Sequence, residues 1–149
     1  MSYFQVILKD ICFQFRKISK TEVSSSPPII FLHDSFGCIE LWRDFPEQLA
    51  GQLKTDVYVY DRQGYGKSDP YSIKERKPTY MDDEAHVLIQ IMDKLKIKKA
   101  TLFGHSDGAT IALLAGAYYP ERINAIISEA AHVFVEEITL NGIKQAVYA

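Results

Sequence analysis

The chain has 149 residues, of which 47% are hydrophobic and 24% charged, and its formal net charge is −2. That is the length and composition of one ordinary globular domain. The charge is too small, and its lysines too dispersed, for the positive field of a nucleic-acid or anionic-membrane binder. Cys12 and Cys38 form neither a disulfide framework nor a metal-ligand spacing, which suits a reducing compartment. The opening MSYFQVILKD has no basic start followed by an apolar core. No apolar run approaches the ~20 residues a membrane span needs. The expectation is a cytoplasmic protein without nucleic-acid or membrane partners.

Ile11, Phe13 and Phe15 alternate with Cys12, Gln14 and Arg16, the period of a strand with one buried face. Ser24-Ser25-Ser26-Pro27-Pro28 then reads as a loop. Ile29-Ile30-Phe31-Leu32 is a short continuous apolar run, as expected of a strand buried on both faces. Leu41, Phe45, Leu49 and Leu53 recur every four residues and predict a helix over 41–53. Val57–Tyr60 repeats the buried-strand pattern. Met81, Ala85, Leu88, Met92 and Leu95 line one face of a second helix. Ala100–Phe103 predicts another buried strand, and Ala109–Tyr119 a third helix that Pro120 would stop. Ile123–Ile127 predicts the last strand. Strands alternating with helices of this size imply β-α-β units and an α/β fold, a parallel sheet covered on both sides.

Within that pattern one stretch carries chemistry. Gly104-His105-Ser106-Asp107-Gly108 follows a predicted strand and opens a predicted helix. A serine there sits on a sharp turn at the carboxyl end of the sheet, with its oxygen exposed. Gly104 and Gly108 leave room for the crowded backbone, and the helix N-terminus favours developing negative charge. Substrate crevices of open α/β sheets lie at that end as well.

The chain here resembles the α/β-hydrolase family. Phe31-Leu32-His33-Asp34-Ser35-Phe36-Gly37 is similar to the family's strand-then-His-Gly oxyanion loop, with Asp34 where the family has glycine. Tyr60-Asp61-Arg62-Gln63-Gly64-Tyr65-Gly66-Lys67-Ser68-Asp69 is similar to its D-x-R-G-x-G-x-S turn. Tyr119-Pro120-Glu121-Arg122-Ile123 resembles the passage into the strand after the serine. The likeness runs from about Ile11 to Glu129 and is nearest to cap-bearing, cofactor-free hydrolases. It implies a three-layer α/β/α sandwich with a mostly parallel sheet, residues 1–130 forming the amino-terminal part of the core and 131–149 the start of a cap.

The resemblance also implies site roles. Ser106 would attack a carbonyl carbon, and backbone N–H groups of Asp107 and Ser35 would hold the oxyanion. His33, Gly104 and Gly108 would support that geometry. The substrate would be a small carbonyl compound cleaved at an ester, lactone or carbon–carbon bond, with no cofactor and no metal. The Asp61–Ser68 turn is not a phosphate loop: Gly66-Lys67-Ser68 would require a glycine where Asp61 stands. Nor does Gly64-x-Gly66 continue to a third glycine. Ser68 is expected to be a hydrogen-bonding turn residue.

A serine nucleophile needs a histidine and an orienting acid, and in this fold they follow it in the order serine, acid, histidine. His105 should point to the opposite side of the strand end from Ser106. His86 should pair on a helix surface with Asp82 and Asp83. His33 belongs to the oxyanion loop. His132 is the only histidine after Ser106, and by chain order it falls too early to be the base. Glu129 is a candidate acid. The expectation is therefore a hydrolase whose acid and histidine lie outside a chain that ends at Val147-Tyr148-Ala149. The alternative is a non-catalytic remnant, or a split subunit completed by a second chain. In either case Ile123–Ile127 would be an exposed sheet edge, open to self-association or to a complementing fragment.

Overall fold

A computed structural model of the chain describes residues 1–19, 26–71 and 75–147; residues 24 and 25 of the predicted loop and the last two residues lie outside these. The alternation around Phe13 and Phe15 becomes strand β2 (Ile11–Ile18), with both phenylalanines buried. Its antiparallel partner is β1 (Ser2–Leu8), a strand the sequence pattern did not reveal. The two are joined by Lys9 and Asp10, both with positive φ (50° and 67°). That is the conformation of a tight primed hairpin turn, here built without the usual Asn-Gly signal.

The four apolar runs become β3 (Ile29–Leu32), β4 (Val57–Tyr60), β5 (Ala100–His105) and β6 (Ile123–Glu129). The sheet runs in the order β1-β2-β4-β3-β5-β6, with β4, β3, β5 and β6 mutually parallel and β1 and β2 antiparallel to their neighbours. The helices are α1 (Phe45–Leu53), α2 (Tyr80–Lys94), α3 (Asp107–Tyr118) and α4 (Glu137–Val147). Because side chains alternate along a strand, each buried strand feeds two cores. Ile30, Leu32, Tyr58, Tyr60 and Leu102 pack with α2 and α3. Ile29, Phe31, Val57, Val59 and Phe103 pack on the other face with Ala50 and Leu49 of α1. The result is the three-layer α/β/α arrangement.

The helix expected over 41–53 is corrected. A short 3-10 turn spans Ile39–Trp42, Arg43 takes φ 53°, and α1 begins only at Phe45. Pro46 explains the break: inside a longer helix its ring would clash with the carbonyl of Trp42, whereas at the start of a helix it is well tolerated. The four-residue stripe is not the buried face either, since Leu41 and Leu53 are 63% and 54% exposed. The α2 stripe holds, with Ala85, Leu88 and Met92 fully buried. His86 lies on the surface of α2, but its partner is the Tyr119 hydroxyl (2.8 Å) and not an aspartate. It also stacks on Tyr118. At the far side, β6 is the edge strand of the described sheet, with Ala125 and Ile127 exposed.

The turn after β4 completes the sheet where β4 stops. Ser68 Oγ donates to the Asp61 carbonyl (2.6 Å) and accepts from the Gln14 N–H (2.8 Å). The Asp69 carboxylate takes the Cys12 N–H. Asp61 is fully buried, and its two carboxylate oxygens accept the N–H groups of Ile39 (2.7 Å) and Lys67 (2.9 Å). Gly66 is required because a Cβ there would lie 2.1 Å from that carboxylate, at a φ of +52°. Burial pushes the Asp61 carboxyl upward, against the pull of those two N–H bonds. Asp61→Ala strands both donors and is expected to lower unfolding free energy by about 3 kcal/mol. Asp61→Asn, which keeps one acceptor, should cost less; urea denaturation of the two variants checks the order.

Candidate active site

β5 delivers the chain to Ser106 and α3 carries it away, so the whole reversal falls on one residue. Ser106 takes φ 53° and ψ −118°, a conformation that costs a non-glycine residue about 1–3 kcal/mol. The surroundings hold it there. A Cβ on Gly104 would lie 2.4 Å from the Gly108 carbonyl, and a Cβ on Gly108 would lie 2.0 Å from the Leu32 carbonyl. Backbone from β3, β5 and α3 therefore meets at van der Waals distance around the serine. The Ser106 N–H is bonded to the Glu129 carbonyl at the end of β6 (2.9 Å). Ser106 itself stays partly exposed.

A buried guanidinium links the two segments that flank this turn. Arg62 has no exposed surface. It donates to the Asp34 carbonyl (2.9 Å), lies 3.9 Å from the Asp107 carboxylate and faces the Tyr65 ring. The Tyr80 hydroxyl donates to that same Asp107 oxygen (2.5 Å), which turns the carboxylate into the protein. The N–H groups of Ser35 and Asp107 have no acceptor among the described residues. Both residues line one cavity of about 370 Å³ with Ala131, His132, Val133 and Phe134.

Asp34 stands where glycine is expected, and it does not point at these donors. One carboxylate oxygen takes the Phe36 N–H (2.6 Å) and the other faces His105 Nδ1 (3.5 Å). Asp34, His105, His33 and Glu129 line a second cavity of about 290 Å³. His105 thus lies apart from Ser106, as its strand position implies. Glu129 contributes its carbonyl to the elbow, and its residue lines the His105 cavity. His33 is buried with both ring nitrogens engaged: Nε2 accepts the Arg62 N–H (3.0 Å), so Nδ1 carries the proton toward the Asp34 carbonyl (2.7 Å). Cys38, Glu40 and Asp61 bring ligand atoms within 4.8 Å of one another. The Asp61 oxygens are already bonded to backbone, however, and Glu40 pairs with Lys67.

Sequence reasoning set aside one residue that the fold brings in. His132 Nε2 lies 3.0 Å from Ser106 Oγ. Chain order places it too early to be the base, and its proximity follows from sheet register. His105 pairs with Glu129, so a residue three places beyond β6 lands beside the turn that ends β5.

The model of the α/β-hydrolase fold family matches residues 27–146. The chain belongs to the α/β-hydrolase fold family. Ethanol acetyltransferase 1 of Eremothecium cymbalariae is 33% identical over 108 residues, covering 72% of this chain and 29% of that protein. Human serine hydrolase BPHL is 33% identical over 96 residues, covering 63% and 33%. A carboxylesterase structure from the thaumarchaeon Nitrososphaera gargenis superposes with a TM-score of 0.78 at 21% identity, covering 97% of this chain and 51% of that one. This α/β-hydrolase chain thus spans about a third of these two curated relatives and half of that structure. No helix among the described residues is long and apolar enough to cross a membrane.

His33 links the site to stability. Burial, and then the Arg62 charge, hold its pKa down at about 4. Between pH 4 and the ordinary histidine value of about 6.5 the unfolded chain binds a proton that the folded chain does not, so stability rises with pH across this window. The contribution is present above about pH 6.5 and is lost as the pH falls toward 4. Acidification from pH 7 to 4.5 should therefore cost wild type about 2 kcal/mol more than His33→Gln, as read from urea melts at the two pH values.

Proposed function

We propose that the protein is a serine hydrolase acting on a small carbonyl substrate at an ester, lactone or carbon–carbon bond. Ser106 is the nucleophile. The observation that carries the reading is the strained, partly exposed Ser106 between β5 and the N-terminus of α3. The Ser106 oxygen forms a bond to the carbonyl carbon as its proton passes to a histidine. Negative charge on the former carbonyl oxygen is received by the backbone N–H groups of Asp107 and Ser35, two residues that line one cavity and whose N–H groups have no acceptor among the described residues. Such a donor is commonly worth about 10²–10³-fold in rate. For an ester or lactone, the leaving alkoxide takes the proton, and water then releases the acyl group by the same steps in reverse.

Backbone donors suit this task because they are held by the fold and need no reorganisation when charge develops. The Arg62 bond to the Asp34 carbonyl and the Asp107 contact support that rigidity. Relatives named as a serine hydrolase and as acetyltransferases are consistent with chemistry at a carbonyl carbon.

A second reading is that catalysis needs an acid from outside this chain. It is favoured by the limited share of the relatives' length that the chain spans, and by the lack of a carboxylate hydrogen-bonded to His132 among the described residues. The two readings separate in one assay. With p-nitrophenyl acetate and a γ-lactone, wild-type chain is expected to hydrolyse above the buffer rate and Ser106→Ala at the buffer rate. A folded wild type at the buffer rate would favour the second reading.

A further inference from the structure

Asp107 carries a conflict set by its place in the fold. It is the first residue of α3, and its N–H is one of the two donors assigned to the substrate oxygen. A carboxylate in the first turn of a helix is drawn back onto the unpaired N–H groups there and toward the positive end of the dipole. At Asp107 that fold-back would place a fixed negative charge where substrate charge has to develop. We infer that Tyr80 is a positioning residue that holds the Asp107 carboxylate away from the end of α3 and keeps its N–H open to substrate. This deepens the reading of Ser106 as a nucleophile and rests on it.

Tyr80 opens α2 as Asp107 opens α3, and the two helices pack in one core. The Tyr80 hydroxyl donates to Asp107 Oδ2 at 2.5 Å. The Arg62 guanidinium lies 3.9 Å from the same oxygen, too far for a hydrogen bond. Arg62 therefore supplies opposite charge, whereas Tyr80 sets the direction. The carboxylate is buried on that inner side, and among the described residues no backbone N–H of α3 donates to it.

The Tyr80 ring is itself held. The Arg76 guanidinium lies 5.2 Å from its centre, 4.8 Å from that of Tyr65 and 4.7 Å from that of Tyr71. Arg76 also donates to the Tyr65 hydroxyl (2.5 Å). The Tyr71 hydroxyl donates to buried Glu84, one turn beyond Tyr80 on α2 (2.7 Å). Two tyrosines thus anchor the arginine that covers the third, a cation over aromatic faces. Burial, and then the bond to Asp107, raise the Tyr80 pKa above the ordinary tyrosine value, so the hydroxyl remains a donor through neutral pH.

The test is the second-order rate of labelling by a fluorophosphonate probe. It is measured on wild type, Ser106→Ala, Tyr80→Phe, Asp107→Asn and the double variant Tyr80→Phe/Asp107→Asn, with circular dichroism as the check on folding. Wild type should label and Ser106→Ala should not. Tyr80→Phe should label about tenfold more slowly, less than the roughly 10²–10³-fold that outright loss of a donor costs. In the Asp107→Asn background the same change should cost less than about twofold, because no charge is left to restrain. With p-nitrophenyl acetate, Tyr80→Phe should lower kcat and leave KM within about twofold, as loss of a contact made only in the transition state does. That split decides alone if Asp107→Asn does not fold. A folded Tyr80→Phe that labels at the wild-type rate, equal slowing in both backgrounds, or a rise in KM at constant kcat overturns this inference and leaves the nucleophile standing. If wild type fails to label, or Ser106→Ala labels equally, the Ser106 reading falls and this inference with it.

Discussion

The constraint on which the site depends is backbone crowding at the end of β5. Three segments pass so closely that Gly104 and Gly108 have no room for a Cβ, and Ser106 is left to make the turn at positive φ. A relaxed backbone would sink the serine side chain into a strand or helix face. The crowded one lifts it to the carboxyl edge of the sheet, with the first N–H groups of α3 beneath it. The strain is of order 1–3 kcal/mol, an amount the cores on both faces of the sheet can carry. Packing against β3, through the Leu32 carbonyl, is what makes that position rigid.

Arg62 extends this rigidity from a turn to a site. A guanidinium with no exposed surface is costly unless its surroundings supply acceptors and opposite charge. Here they come from the two segments that carry Ser35 and Asp107, the Asp34 carbonyl on one side and the Asp107 carboxylate on the other. The Arg62 N–H also fixes the His33 tautomer. The D-x-R-G-x-G-x-S turn is therefore not a distant structural ornament. Its aspartate closes the turn on itself, its arginine joins the strand ends at the site, and its serine patches β2 beyond the reach of β4.

Much of this was legible in the sequence because the signals were local. Four continuous apolar runs gave four strands, β3, β4 and β5 largely buried and β6 at the exposed edge, and the α2 stripe gave its buried face. Gly-x-Ser-x-Gly between a strand and a helix located Ser106. What escaped depended on geometry that no short pattern encodes. β1 was hidden because Lys9 and Asp10 adopt left-handed conformations without glycine or asparagine. Leu41 and Phe45 mimicked helical spacing across a break set by Pro46. The nearness of His132 to Ser106 arises from parallel register between β5 and β6 and from one threonine on α3, which order along the chain does not encode. The direction of the Asp34 side chain was likewise illegible, and its oxygens turn toward Phe36 and His105.

The central claim is that the fold makes Ser106 a nucleophile. Its most direct test is to treat the folded chain with diethyl p-nitrophenyl phosphate and locate the modified residue by mass spectrometry of the tryptic peptide Ala100–Arg122. The account predicts one diethylphosphoryl group, on Ser106 and on no other residue. An unmodified Ser106 in a demonstrably folded sample, or modification at another serine or tyrosine in its place, would contradict it.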